Sequence, residues 1–370
     1  MKYFGNLLKN LDRQILALIG VLAVISIVMI ASVSWTGEFQ IRRDMVVQTA
    51  AYILGLGAVF FLVFIDYKAY FPYEKYLYIG SIVFLLLVYV PGLGHEQYSA
   101  LSWIKIPGIP TTIQPSEFVK ISFVLLMAMF LSRNRNNLSD LKGVVMAFLY
   151  GAPFILIVLK EDLGSAIVFG AIWVTMVFYA GIDYKLFAKC AGAVVLMLPI
   201  IFLFMADHQK MRIIAFLHPD DLTIEATRQV YYSKTAIGSG GFFGKGLFHG
   251  VQKQLEFIPV AKSDFIFAVV GEELGMIGAC VLILIFFVLL LRFARIARDA
   301  IDLYGALIAV GFMGMFGFQI FENIAMTMGI MPVTGITLPF ISYGGSSTLA
   351  CMMATGLVLS VGMRGKQINF

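Results

Sequence analysis

Charge is what this sequence has least of. Asp, Glu, Lys and Arg together supply 13% of its 370 residues, whereas hydrophobic side chains supply 60%. The mean hydropathy is +0.90. Soluble domains carry about a quarter charged residues, so a water-soluble fold is excluded, and size rules for soluble cores do not apply. Cysteine is scarce as well. Cys190, Cys280 and Cys351 lie far apart in apolar runs, with neither metal-site spacing nor the even count of a disulfide framework. The four histidines, His95, His208, His218 and His249, form no HExxH or other paired motif. The net charge of +5 is small, and the basic residues sit between apolar runs. That pattern suits membrane topology and argues against a nucleic-acid partner.

What is present is a series of long apolar runs. The first, Ile15 to Val33, follows Lys2, Lys9 and Arg13. It is too long for a signal-peptide core and is read as a retained span. Others fall near 46–65, 76–91, 117–132, 143–159, 163–180, 186–206, 265–291, 303–329 and 346–363. The expectation is an all-α polytopic membrane protein of ten transmembrane helices, a single domain over 1–370, with one large extracytoplasmic loop at about 207–264. A barrel would alternate apolar and polar residues at period two, which these runs do not. With the N-terminus inside, the inner segments hold fifteen Lys and Arg and the short outer segments four. Positive-inside counting therefore places both termini in the cytoplasm.

Two outer segments carry more than a turn. Residues 92–116, with Tyr98, Trp103, Ile104, Ile106, Pro107 and Pro110, are expected along the membrane interface, where aromatic rings settle. The loop 207–264 alternates polar and apolar groups and is expected to form short amphipathic helices on the bilayer surface. Within it, GSGGFFGKG (238–246) imitates a phosphate loop but fails the Walker pattern at Ser239 and Gly246, and the dinucleotide pattern at Phe243. A tight or flexible outer turn is the plain reading; glycines that admit backbone N–H groups to a pyrophosphate are the functional one.

Charged residues within or beside spans are costly and mark function by default. Asp264 ends the glycine-rich segment, and an apolar run begins at the next residue. It is read as the chemical centre. Glu117 and Lys120 share a helix face at the start of the fourth span; a structural ion pair and a substrate-facing cavity wall both fit. Glu161 and Asp162 open the sixth span, where an acid suits the helix dipole and could also hold a cation. Glu272, Glu273, Glu322 and Asn323 read as polar packing between helices. Pro339, Gly344 and Gly345 break the helix in GITLPFISYGGSS (335–347). Irregular backbone at membrane depth must be buried in protein or line a wet cavity, which points this segment to the same side and the same site as Asp264.

QPSEFVK (114–120), EDLGSA (161–166), the run GSGG…GKG…QKQLEFIP…DFIFAVVGEELG (238–275) and GITLPFISYGGSS (335–347) together resemble the SEDS family, which comprises RodA, FtsW and the sporulation homologues. The short tails and the wording around QLEFIP are nearest the RodA branch, whose role is elongation, with a division or sporulation homologue as the alternative. Gly271 departs from relatives that carry alanine there. The resemblance implies a peptidoglycan glycosyltransferase of the bacterial cytoplasmic membrane that polymerises lipid II and works with a class B penicillin-binding protein. That partner's single helix would pack on the lipid face of the eighth and ninth spans. The family's essential acid matches Asp264, its cavity pair Glu117 and Lys120, and its further polar residues Asp162 and Arg212. Lys120, Arg212, Lys234 or a divalent cation (magnesium or manganese) would meet the departing pyrophosphate. Two other readings compete: a lipid II flippase or other transporter, and a non-catalytic scaffold. Polar motifs clustered on one side, and the lack of a repeat in two halves, weigh against transport.

Overall fold

The computed structural model describes residues 10–35, 42–97, 100–105, 112–250 and 261–365. It is helical nearly throughout. Helices α1 (Arg13–Val33), α2 (Arg43–Phe64) and α3 (Glu74–Leu86, flanked by 3-10 turns) come first. A small outer sheet follows: β1 (Gly94–Gln97), β2 (Ala100–Lys105) and β3 (Thr112–Ile113), antiparallel in that order. Then come α4 (Pro115–Arg133), α5 (Leu141–Leu159), α6 (Leu163–Ala180), α7 (Tyr184–Phe204), α8 (Asp207–Leu217), α9 (Glu225–Gly240), α10 (Ile266–Arg298), α11 (Leu303–Thr327) and α12 (Gly345–Gly365).

Among the described residues, nine helical segments are long and apolar enough to cross a membrane. The remaining expected span, 186–206, falls on α7. The helix starts follow from local chemistry. Asp12, Asp162, Asp183 and Asp302 each accept backbone N–H groups at the start of the helix that follows, satisfying donors that have no intrahelical partner. Pro115 opens α4, where a missing N–H costs nothing.

Packing sorts the helices into centre and rim. In α4, 83% of the most apolar window is buried, against 17% in the Tyr67–Tyr89 segment. Helix α4 lies among α3, α5, α6, α11 and α12, so Glu117 and Lys120 are carried into the protein interior and not toward lipid. Helix α12 runs along α2, and α11 lies between α10 and α6. One end of the bundle carries the pairs Arg292–Asp12 (2.6 Å), Lys68–Asp302 (2.7 Å), Arg364–Asp66 (3.5 Å) and Arg133–Glu74. This is the end that charge counting assigns to the cytoplasm. Asp264, Asp162 and Arg212 lie at the other.

Two features differ from the sequence expectation, the outer segment 92–116 and the eighth span. The segment 92–116 forms the small sheet, with Trp103 on β2; Tyr98, Ile106, Pro107 and Pro110 lie outside the described residues. In the loop 207–264, α8 and α9 are the expected short helices, whereas the QKQLEFIP stretch lies outside the described residues. The eighth span is not a continuous helix. It breaks at Gly275, whose φ is 67°.

That break explains the glycine-rich run. Beyond it, the N–H of Met276 donates to the Gly241 carbonyl (2.9 Å) and that of Ile277 to Phe242 (3.2 Å). Before it, the carbonyls of Glu272 and Glu273 accept from the N–H groups of Lys245 and Gly246, both at 3.0 Å. The loop thus satisfies backbone groups that the helix releases, as membrane depth requires. A Cβ on Gly244 would stand 2.1 Å from the Glu273 carbonyl oxygen. Glycine is needed here for backbone to lie on backbone. Glu272 pairs with Lys245 (2.9 Å), and Glu273 accepts from the Ser32 hydroxyl (2.7 and 2.6 Å). The Glu273 contact is the interhelical one expected; that of Glu272 runs to the glycine-rich loop instead.

Candidate active site

Asp264 occupies the turn immediately before α10 and is half-buried. The turn is stitched in place from several sides. The Ser342 hydroxyl donates to the Ser263 carbonyl, and the Tyr343 N–H donates to the Lys262 carbonyl (2.8 Å). Lys262 itself pairs with Asp44 (2.6 Å). The Asp264 carbonyl accepts from the side-chain amide of Asn323 (2.8 Å). Gln48, buried on α2, donates to Ser26, to the Ser342 carbonyl and to Thr348, and accepts from the Gly344 N–H. The irregular 335–344 segment is therefore buried in protein and held by side chains. Within it, Phe340 adopts a φ of 65°, with its carbonyl accepting from the Tyr52 hydroxyl. A bulky residue in that region costs roughly 1–2 kcal/mol and persists because its surroundings over-determine it.

Across from the acid is Arg212 of α8. Its Nη1 donates to the Thr334 carbonyl at 2.6 Å. Between the two lies Gly335, with a φ of 78°. A Cβ built there would stand 3.6 Å from Arg212 Nη1 and 3.4 Å from Asp264 Oδ2. Acid and guanidinium thus flank one small space left open by a glycine. They are not in direct ion contact, since no Asp264–Arg212 pair lies within 4.0 Å.

Loss of hydration raises the Asp264 pKa to about 6, with the charge of Asp162 pushing the same way. The Ser263 hydrogen bond and the charge of Arg212 oppose the rise. A carboxyl group with a pKa near neutrality suits proton transfer.

Asp162 comes from the start of α6. Its Oδ1 accepts from the Ser165 N–H (3.0 Å), and its Oδ2 from the Ser165 hydroxyl (2.7 Å) and from Gln114 (3.2 Å). A Cβ on Gly164 would lie 2.7 Å from the Thr334 carbonyl oxygen, so the start of α6 rests directly on the 334–336 segment. Gln114 also ties the start of α4 to Ser346 of α12 (3.3 Å).

The structure therefore gathers Asp264, Asp162 and Arg212 around Thr334 and Gly335. Glu117 and Lys120 lie one and two turns into α4, paired at 2.7 Å and nearly inaccessible. Their geometry is that of a buried ion pair, and no contact joins them to Asp264. Lys234 stands elsewhere, on α9. It lines a cleft between α8, α9 and the 329–333 segment, together with Arg212, Phe216 and Tyr231. Among the described residues neither Arg212 nor Lys234 forms an ion pair. Arg212 is thus common to the cleft and to the space beside Asp264.

Sequence reasoning brought the segment that begins at Gly335 to the site of Asp264, as the structure has it, but passed over Thr334, the room that Gly335 itself leaves beside the acid, and the role of Asn323. Among the described residues no three His, Cys, Asp or Glu side chains stand close enough to hold a metal ion.

Comparison with known proteins agrees with this architecture. The family described as Cell cycle protein, grouping FtsW, RodA and SpoVE, matches residues 10–367. A probable peptidoglycan glycosyltransferase FtsW of Geobacter metallireducens is 37% identical, over 85% of this chain and 83% of its own length. Stage V sporulation protein E of Bacillus subtilis is 38% identical over 83% and 84%. The peptidoglycan glycosyltransferase MrdB of Escherichia coli is 34% identical over 97% and 95%. Among solved structures, a chain from a peptidoglycan synthase complex has a TM-score of 0.82 at 27% identity, over 96% of this chain and 99% of that one. The rod shape determining protein RodA of Thermus thermophilus has a TM-score of 0.71 at 28% identity, over 96% and 98%. Motifs, bundle and similarity over almost the full length converge, and the chain belongs to the FtsW, RodA and SpoVE family, the SEDS proteins.

Proposed function

We propose that this protein is a peptidoglycan glycosyltransferase that polymerises lipid II on the outer face of the bacterial cytoplasmic membrane, with Asp264 as the general base. The observation that carries the reading is the half-buried, desolvated acid facing Arg212 across the space at Gly335. The 4-hydroxyl of the acceptor sugar loses its proton to Asp264 as its oxygen bonds to the donor's anomeric carbon. The bond from that carbon to the diphosphate oxygen breaks, and undecaprenyl diphosphate departs. A single displacement with one base inverts the anomeric centre.

Arg212 and Lys234, with no ion-pair partner among the described residues, supply positive charge for the departing diphosphate. The cleft they share with Phe216 and Tyr231 gives an anion with an apolar tail a place to sit. The Glu117–Lys120 pair belongs to the inner wall of the site. A magnesium or manganese ion would be held by the substrate phosphates and would supply positive charge to the departing diphosphate; both Asp162 oxygens are already engaged by Ser165 and Gln114. The partner is a class B penicillin-binding protein. Its single helix docks on the lipid-facing apolar side chains of α10 and α11, among them Met276, Ile277, Val281, Leu284 and Phe321. Both termini lie in the cytoplasm, as the basic segments require. The wording of the 254–275 motif supports an elongation role, and replacement of a host's elongation enzyme, read as rods or spheres, tests that assignment.

The decisive experiment is polymerisation of purified lipid II, with and without divalent cation and partner. Wild type yields glycan polymer and Asp264→Asn yields none. Full polymer from Asp264→Asn refutes the reading.

A further inference from the structure

Glu322 and Asn323 are adjacent, almost wholly buried residues of α11, and their sequence context suggests interhelical packing. Their contacts are more specific. Nδ2 of Asn323 donates to two carbonyls, that of Asp264 at 2.8 Å and that of Ile336 at 2.7 Å. One carbonyl belongs to the turn that carries the acid, the other to the residue after Gly335. A single amide therefore spans the two backbone walls of the space beside Asp264. Glu322 serves the opposite side: its Oε1 accepts from the Thr334 hydroxyl at 2.6 Å, and the Thr334 carbonyl accepts from Arg212.

The unused atoms support the same reading. Asn323 Oδ1 and Glu322 Oε2 are buried with no hydrogen-bond partner. An apolar side chain here would remove the unpaired Asn323 oxygen but would strand the carbonyls of Asp264 and Ile336. The amide is kept for its two donors, and those donors hold the site.

We infer that Asn323 is a positioning residue for glycosyl transfer: by bridging the Asp264 and Ile336 carbonyls, it sets the spacing between the acid and the opening at Gly335. This rests on the glycosyltransferase reading above. Without the bridge, the turn keeps its contacts to Ser342 and Tyr343, so the fold survives while the carboxylate drifts toward water. The charged groups that act on Asp264 from neighbouring elements are Arg212 of α8 and Asp162 at the start of α6. Lys262 on the same turn is paired with Asp44, and Glu322 is engaged by Thr334.

The test uses the full chain with its partner transpeptidase, and lipid II as substrate. Asn323→Leu, which fills the site without donors, should lower turnover at least tenfold at an unchanged KM for lipid II. It should also move the acid limb of the pH–rate profile to lower pH, because a better hydrated carboxylate holds its proton less tightly. Asn323→Ser, which keeps one donor, should recover part of both effects. Thermal melts of Asn323→Leu and Asn323→Ala establish the folded fraction, and Asn323→Ala replaces the leucine variant should that fail to fold. Wild-type turnover in either folded variant overturns the inference. So does a loss of rate with an unmoved acid limb, which signals structural damage alone. Equal initial rates of polymerisation from wild type and folded Asn323→Leu refute this inference only; no polymer from wild type refutes the glycosyltransferase reading and this one with it.

Discussion

A Cβ on Gly335 would stand 3.4 Å from Oδ2 of Asp264. This glycine, not a charged residue, makes the room beside the acid. Gly335→Ala should therefore place a methyl group where a sugar hydroxyl must approach. It also forces alanine to a φ of 78°, at roughly 1–2 kcal/mol. The expected outcome is at least a tenfold loss of glycan polymer from protein that still purifies as a folded species. Wild-type rates in Gly335→Ala would show that the acceptor reaches Asp264 from another side.

The raised pKa of Asp264 sets the pH dependence. A base must be ionised, so polymerisation should fall as pH drops through about 6. The neighbours act in opposite senses. Arg212 stabilises the carboxylate and Asp162 destabilises it, so Arg212→Met should move the acid limb up and Asp162→Asn should move it down. Initial rates across pH 4.5 to 8, at saturating lipid II, measure all three limbs.

The same shift has a cost in stability. Below about pH 4 the acid is protonated in both folded and unfolded chains. As pH rises toward 6 the unfolded chain releases its proton first, so stability falls across that window and stays lower above it. Asp264→Asn removes the penalty. At pH 8 it should be more stable than wild type, by up to roughly 3 kcal/mol for a shift of this size, while making no polymer. Thermal melts in detergent at pH 4 and pH 8 compare the two; equal differences at both pH values would contradict the linkage.

Glu117 and Lys120 pair at 2.7 Å in the interior. Glu117→Gln or Lys120→Met alone strands a buried charge and should cost about 3–5 kcal/mol. The double variant should recover most of that stability. If the pair also shapes the substrate site, the recovered protein remains slow in polymerisation. Recovery of stability and rate together would reduce the pair to a structural one.

The strap across the break in α10 separates two kinds of glycine in one motif. Gly238 lies within α9, and a Cβ there meets nothing within 4 Å, so Gly238→Ala should stabilise slightly, by about 0.5–1 kcal/mol. Gly244→Ala meets the Glu273 carbonyl oxygen at 2.1 Å with a φ of 79° and should destabilise by at least about 2 kcal/mol. Melting temperatures of the two variants should move in opposite directions.

Much of this protein was readable along the chain. Some apolar runs match their helices almost to the residue: the expected 163–180 is α6, and the expected 303–329 is α11, whereas α10 runs seven residues past the expected 265–291. A bilayer leaves no partner for unpaired backbone, so run length translates directly into helix length. Asp264 could be singled out because an acid beside a long apolar run needs a reason. Other features depend on contacts between distant segments, which local pattern does not encode. The break at Gly275 exists because the Gly241–Gly246 loop lies against it. The opening at Gly335 matters because α8 and the turn before α10 meet there. Asn323 reads as ordinary packing until folding brings two carbonyls to its one amide. Sequence by itself determined the membrane, the helices and the acid. Tertiary structure decided which groups surround that acid, because desolvation, charge and room for a ligand arise only where separate segments converge.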